Sequence, residues 1–197
     1  MRCSWRCANG ASGPALSAAC NQSPGIQKEY GVIIRNEELR DIEAIRTVHV
    51  EAFASHPYSR QTEHLIVDGL REAGALSVSL VADMEGQVVG HIAFSPALVG
   101  GAECGLYILG PVGVLPPFQR RGVGSRLVRD GLEAIRAMGA TGCVLVGDPA
   151  FYRHFGFVQA APLTMEGVPP EVVLYLPMAD TMPRGAVTHH SAFHVEP

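Results

Sequence analysis

The chain has 197 residues, 47% of them hydrophobic and 17% charged, which suits one domain with a sizeable core and leaves little room for two. Its 15 basic and 19 acidic residues give a formal net charge of -4, so no general attraction to nucleic acid or to an anionic membrane is expected. Pro, Gly or a charge interrupts each apolar run before the roughly 18 to 20 residues that a membrane-spanning helix needs. No apolar signal-peptide region follows Arg2 and Arg6, and the expected location is cytoplasmic.

Residues 1–30 are rich in small residues and read as a disordered leader or an upstream extension of the reading frame. The expected domain covers 31–180, and 181–197 form a C-terminal extension that can add a strand. Cys3, Cys7 and Cys20 fall in the leader, and the odd total argues against a disulfide framework. Cys3 and Cys7 alone cannot close a tetrahedral zinc site. Cys143 lies in the apolar run 143–146 and reads as a small buried hydrophobe rather than a nucleophile.

After the leader, 32–35 is a short strand, and Asn36 ahead of Glu37, Glu38 and Leu39 looks like a helix cap with acidic first-turn residues. Leu39, Ile42, Ile45, Val48, Ala52 and Phe53 then form an apolar stripe at helical spacing. The stretch 55–59 breaks it, and a second helix is predicted over 62–73 with Leu65, Ile66, Gly69 and Leu70 on one face. Residues 76–84 and 87–94 alternate as strands around a Glu85, Gly86 turn, and Ser95 and Pro96 are expected to end the second strand.

A third strand, 106–114, contains Gly110, Pro111 and Gly113, which a regular central strand excludes, so a bulge is predicted there. A helix over 122–138 follows, ended by Gly139, and then a strand over 141–146. A strand, helix, strand unit of this kind makes a parallel pair with a right-handed crossover. A short helix over 149–155, a strand beginning at 156–158 and another over 172–176 complete a mixed α/β fold.

The chemistry concentrates in 112–127. Gly122 and Gly124 allow a ligand to approach the backbone, and the unpaired N–H groups of the first helical turn point at it from the positive end of the helix dipole. That is an anion site. A P-loop would need a Lys and a Ser or Thr after its second Gly, and a dinucleotide fingerprint would need Gly where Leu127 stands; neither is present. Fourteen of the basic residues are Arg, and five of them, Arg120, Arg121, Arg126, Arg129 and Arg136, lie between 120 and 136, three of them inside this segment.

Gln119, Arg120, Arg121, Gly122, Val123 and Gly124 match the signature of the GCN5-related N-acetyltransferases: Gln or Arg, two residues, Gly, one residue, Gly or Ala. Val114, Leu115 and Pro116 fit the Val-x-Pro that precedes it, and the order of elements from Val32 to about Val158 resembles that family's fold. Residues 147–157 resemble the subgroup often called YhbS-like. The resemblance implies a mostly antiparallel twisted sheet with one splayed parallel strand pair and helices on both faces. It also implies acetyl-CoA as co-substrate and no metal. Its pyrophosphate would meet the backbone of Arg120, Arg121, Gly122, Val123, Gly124 and Ser125 beside Gln119. Its pantetheine arm would run along Val112, Gly113 and Val114, where the Val112 N–H would stabilise an oxyanion.

By the same resemblance Tyr152 is placed to bind the coenzyme and to protonate the departing thiolate as general acid, although it could equally pack with Phe151, Phe155 and Phe157. The family's frequent strand Glu has no counterpart in 109–112, and His56, Glu63, His91 and Glu103 are candidate bases of which none is assigned. His189, His190 and His194 form no convincing metal set. The expectation is acetyl transfer to a primary amine on a small molecule or peptide, in an enzyme that could dimerise. The alternative is a non-catalytic acyl-CoA-binding sensor or interaction module.

Overall fold

A computed structural model describes residues 31–57 and 59–195; the expectations for the leader lie outside them. The strands are β1 Val32–Asn36, β2 Val78–Met84, β3 Gln87–Val99, β4 Ala102–Val114, β5 Gly142–Val146, β6 Val158–Gln159, β7 Leu163–Thr164, β8 Val173–Pro177 and β9 Gly185–Thr188. The helices are α1 Ile42–Phe53, α2 Glu63–Glu72, α3 Val123–Ala137 and α4 Pro149–Tyr152. The sheet runs β1-β2-β3-β4-β5-β8-β6. All its pairs are antiparallel except β4 with β5. A short parallel ladder between β7 and β9 adds a second parallel pair at the margin, where β9 also pairs with the end of β3.

Alternation along the strands assigns the two faces. The ring of Phe94 lies where a side chain on Gly131 of α3 would stand, 2.3 Å from the Cβ position, and Gly90 faces Leu127 and Val123 in the same way. Gly113 faces the other side, against His49 and Ala52 of α1. Val123, Leu127, Val128, Leu132 and Ile135 bury the apolar stripe of α3, and Ile45 and Val48 bury that of α1. Beyond the helices a second buried cluster, including Ile108, Val144, Tyr175 and Val187, is covered by the chain from 160 onward.

The structure differs from the sequence reading in several places. β1 continues through Asn36, and the helix entry is a 3-10 turn over Leu39–Asp41 in which Asp41 Oδ2 accepts the Glu38 N–H at 2.8 Å. Leu39, read as stripe, is 87% exposed. On α2 the buried positions are Val67 and Leu70, and Gly69 instead contacts Ala192, whose Cβ lies 3.0 Å from the Cβ position. Finally, β3 runs through Pro96 to Val99. The β2 partner ends opposite Phe94, so Pro96 pairs with Tyr107 on one side and has an open edge on the other, where a missing N–H breaks no ladder.

Candidate active site

The bulge predicted in β4 is present. Phe94 pairs with Leu109 and Ile92 with Val112, so three steps on β4 oppose two on β3. The extra residue falls in the Gly110, Pro111 segment, where Gly110 has φ 155°. On its other edge β4 pairs with β5 only from Leu106↔Gly142 to Ile108↔Val144. The two strands therefore part where the bulge begins.

The register shows which backbone groups face the gap. Leu115 N–H donates to the Val89 carbonyl at 2.9 Å, and bonded and non-bonded pairs alternate along an antiparallel ladder. Gly113 therefore turns its N–H toward His91, its partner in register, while the N–H groups of Val112 and Val114 point away from β3 toward the side that β5 has left. Of the three residues predicted to line a coenzyme edge, the end ones present donors and Gly113 presents the absence of a side chain.

The loop from β4 to α3 holds the remaining predicted ligands. Arg120 (φ 57°) and Gly122 (φ 83°) are left-handed, a conformation that only Gly adopts without strain. Arg126 N–H closes onto the Gly122 carbonyl at 3.0 Å, so the donors of Val123, Gly124 and Ser125 precede it in the first turn. Gln119 holds the loop, its Nε2 donating to the Val114 carbonyl at 2.9 Å. Arg126 Nη1 donates to the Val32 carbonyl at 2.6 Å, and Arg121 lies 6.0 Å from the Phe118 ring. Of the clustered arginines, Arg126 is thus tied to β1, and Arg129 packs over Phe155 at 5.6 Å.

Tyr152 ends α4, which follows β5 and starts at the Asp148 cap, whose Oδ1 accepts the Ala150 N–H at 2.8 Å. Its ring occupies the space of the missing Gly147 side chain, 2.5 Å from the Cβ position, and packs edge-on against Phe151 and Phe157. The residue is 8% exposed. Burial raises the phenol pKa above its ordinary value, so the hydroxyl keeps its proton at neutral pH. Cys143 is buried, and burial raises its thiol pKa as well, as suits an inert core residue.

Across β4, on the α1 face, is a buried polar chain that the sequence reading did not assemble. His49 Nε2 lies 2.7 Å from His91 Nδ1, and His91 Nε2 lies 2.8 Å from Ser79 Oγ. Ser79 Oγ donates to Glu37 Oε2, and Arg71 grips Glu37 through both carboxylate oxygens at 2.8 Å. His49 is 1% exposed and His91 fully buried. Burial pushes the His49 pKa well down, and burial and the Arg71 charge push His91 down to about 3. Burial alone would raise the Glu37 carboxyl, but the bonds from Arg71 and Ser79 outweigh it and leave its pKa lowered. The signal for His49 was a polar residue on the α1 stripe, four positions after Ile45 and next to Val48.

The other candidate bases are dispersed. Glu103 is exposed near the start of β4, opposite Leu98. His56 is exposed beyond α1, its ring 5.7 Å from that of Phe53. Glu63 opens α2 and accepts a bond from Ser59 at 2.7 Å. The His189 and His194 rings lie 4.8 Å apart and tilted by 40°, and among the described residues no group of three or more His, Cys, Asp or Glu could hold a metal ion. Among the same residues no helix is long and apolar enough to cross a membrane.

A splayed parallel pair whose free edge leads into a Gly-started helix is the arrangement that the resemblance to the GCN5-related N-acetyltransferases implied. Residues 75–159 match the family model described as acetyltransferase (GNAT) domain. The chain is 37% identical over 113 residues to the uncharacterized N-acetyltransferase YhbS of Escherichia coli K12, covering 57% of this chain and 68% of that protein. It is 48% identical to a GNAT family acetyltransferase from Brucella melitensis, solved with acetyl-CoA, over 83% of this chain and 99% of that one, with a TM-score of 0.75. For Escherichia coli YhbS, solved with CoA, the values are 31%, 83%, 92% and 0.77. The chain belongs to the GNAT acetyltransferase family and is an acyltransferase.

Proposed function

We propose that the protein transfers the acetyl group of acetyl-CoA to a primary amine by direct attack on the thioester. The observation that carries this reading is the free edge of β4. Its Val112 and Val114 donors face the gap left by β5, and the loop that follows leads to the first turn of α3. The site fits the coenzyme: an extended arm can pair with the edge as a strand would, and a pyrophosphate can take the free donors of Val123, Gly124 and Ser125. The coenzyme supplies an acetyl carbonyl activated as a thioester.

Each residue then has one task. Val112 N–H donates to the carbonyl oxygen as negative charge grows there. Tyr152 gives its hydroxyl proton to sulfur as the carbon–sulfur bond breaks. Gln119 keeps the Val114 carbonyl occupied and the loop in place, beside the position proposed for the pyrophosphate. Arg120 and Arg121, both exposed at the loop, add positive charge near the phosphates.

The test is free-thiol release from acetyl-CoA by the purified protein against a broad panel of small amines and peptides. Release that depends on one acceptor class, together with recovery of the acetylated amine, is expected. Tight coenzyme binding without release by any amine would instead identify a non-catalytic acyl-CoA-binding module.

A further inference from the structure

The buried polar chain has a direction. Glu37, held as a carboxylate by Arg71, can only accept. Ser79 therefore spends its proton on Glu37 and accepts from His91 Nε2–H. That leaves His91 Nδ1 as an acceptor, so the proton in the 2.7 Å contact belongs to His49 Nε2. His49 Nδ1 then carries a bare lone pair. It is buried, it has no hydrogen-bond partner, and it lies 3.0 Å from the point where a side chain on Gly113 would begin.

An unsatisfied buried acceptor is costly to keep, and this one sits beside the strand residue flanked by the Val112 and Val114 donors. It is on the opposite face of the sheet from α3, between β4 and α1. We propose that His49 is the catalytic base of the acceptor side, taking the amine proton at Nδ1, while His91, Ser79 and Glu37 are positioning residues that fix its tautomer. This rests on the acetyl-transfer reading above.

The step balances. As the amine nitrogen bonds to the acetyl carbon, its N–H bond breaks, the electron pair stays on nitrogen, and the proton passes to His49 Nδ1. The carbon–sulfur pair leaves with sulfur, which takes the Tyr152 proton. Solvent then returns a proton to the tyrosinate and removes one from His49, so no net proton is consumed for a neutral amine. The groups around His49 are consistent with this. Burial first, and then His91 on β3 and His64 on α2, disfavour its charged form, and burial and Arg71 do the same for His91, so the resting imidazole is neutral.

The test combines kinetics with a spectroscopic reading. Nitrogen NMR of the free protein should show His49 protonated at Nε2 and bare at Nδ1; a proton found on Nδ1 overturns the proposal. With an acceptor that the wild type acetylates, His49→Gln should lower kcat by about 10²- to 10⁴-fold and abolish the acidic limb of the kcat/KM pH profile, with thermal stabilisation by CoA retained. Ser79→Ala should move that limb rather than erase it. Unchanged kcat and pH profile in a His49→Gln protein that still gains stability with CoA removes the base role and leaves acetyl transfer standing. Absence of thiol release from the wild type overturns both.

Discussion

Gly113 and Gly147 shape the two sides of the gap by what they lack. At Gly113 the missing side chain admits His49 and Ala52 of α1 to the back of β4, and at Gly147 it admits the ring of Tyr152. Burial at the second position has a chemical consequence, because a phenol with a raised pKa stays neutral throughout the usual assay range. The proton that the proposed general acid would give is therefore present across that range. Tyr152→Phe keeps the ring and its contacts with Phe151 and Phe157 and deletes only the donor. We expect kcat for thiol release to fall by about 10²- to 10⁴-fold while CoA still raises the melting temperature. Intact turnover in that variant would end the general-acid assignment.

At the scale of elements, the proposed coenzyme site rests on the start of α3. A Cβ on Gly124 would meet Val114 Cγ2 at 3.6 Å, an ordinary contact, so Gly124→Ala should fold normally and keep coenzyme stabilisation, about 2.7 kcal/mol at a hundredfold excess over Kd. A longer side chain has to project past Val114 toward the edge where the coenzyme would lie. Gly124→Leu should therefore lose the CoA-dependent rise in melting temperature while the free protein melts near the wild-type value. A rise of wild-type size in the leucine variant would refute the phosphate site. Both predictions concern a segment that was readable beforehand, because its information is local: glycines at fixed spacing, a helix stripe and a strand that contains proline. The Glu85, Gly86 turn was readable for the same reason and has positive φ at both residues. What escaped was long-range. No local pattern announces that β3 finds new partners beyond Phe94, that Ala192 seats on Gly69, or that residues 37, 49, 79 and 91 meet, because each depends on how distant elements dock.

For the molecule as a whole, docking α1 and α2 on one face of the sheet buries two neutral imidazoles, and this ties folding to pH. His49 and His91 have folded-state pKa values below the ordinary 6.5, so the unfolded chain binds more protons than the folded one as the solution is acidified. Their contribution is complete above about pH 6.5 and is lost as the pH falls toward their folded values, about 3 for His91. Glu37 and Asp41, also lowered, act in the same sense but only below their ordinary values of 4.5 and 3.8. Between pH 6.5 and 4.5 the slope therefore belongs mainly to the imidazoles, with half-buried His189 adding to it. From the His91 shift alone, stability at pH 5 should be about 2 kcal/mol below that at pH 8, or roughly 4 to 8 °C in melting temperature for a domain of this size. Calorimetry of the coenzyme-free protein across that range gives the measurement, and His91→Gln should flatten the slope. A wild-type melting temperature that stays level from pH 7.5 to 5 would mean that the two rings are not held neutral by the fold, and the base assigned to His49 would lose its physical footing with them.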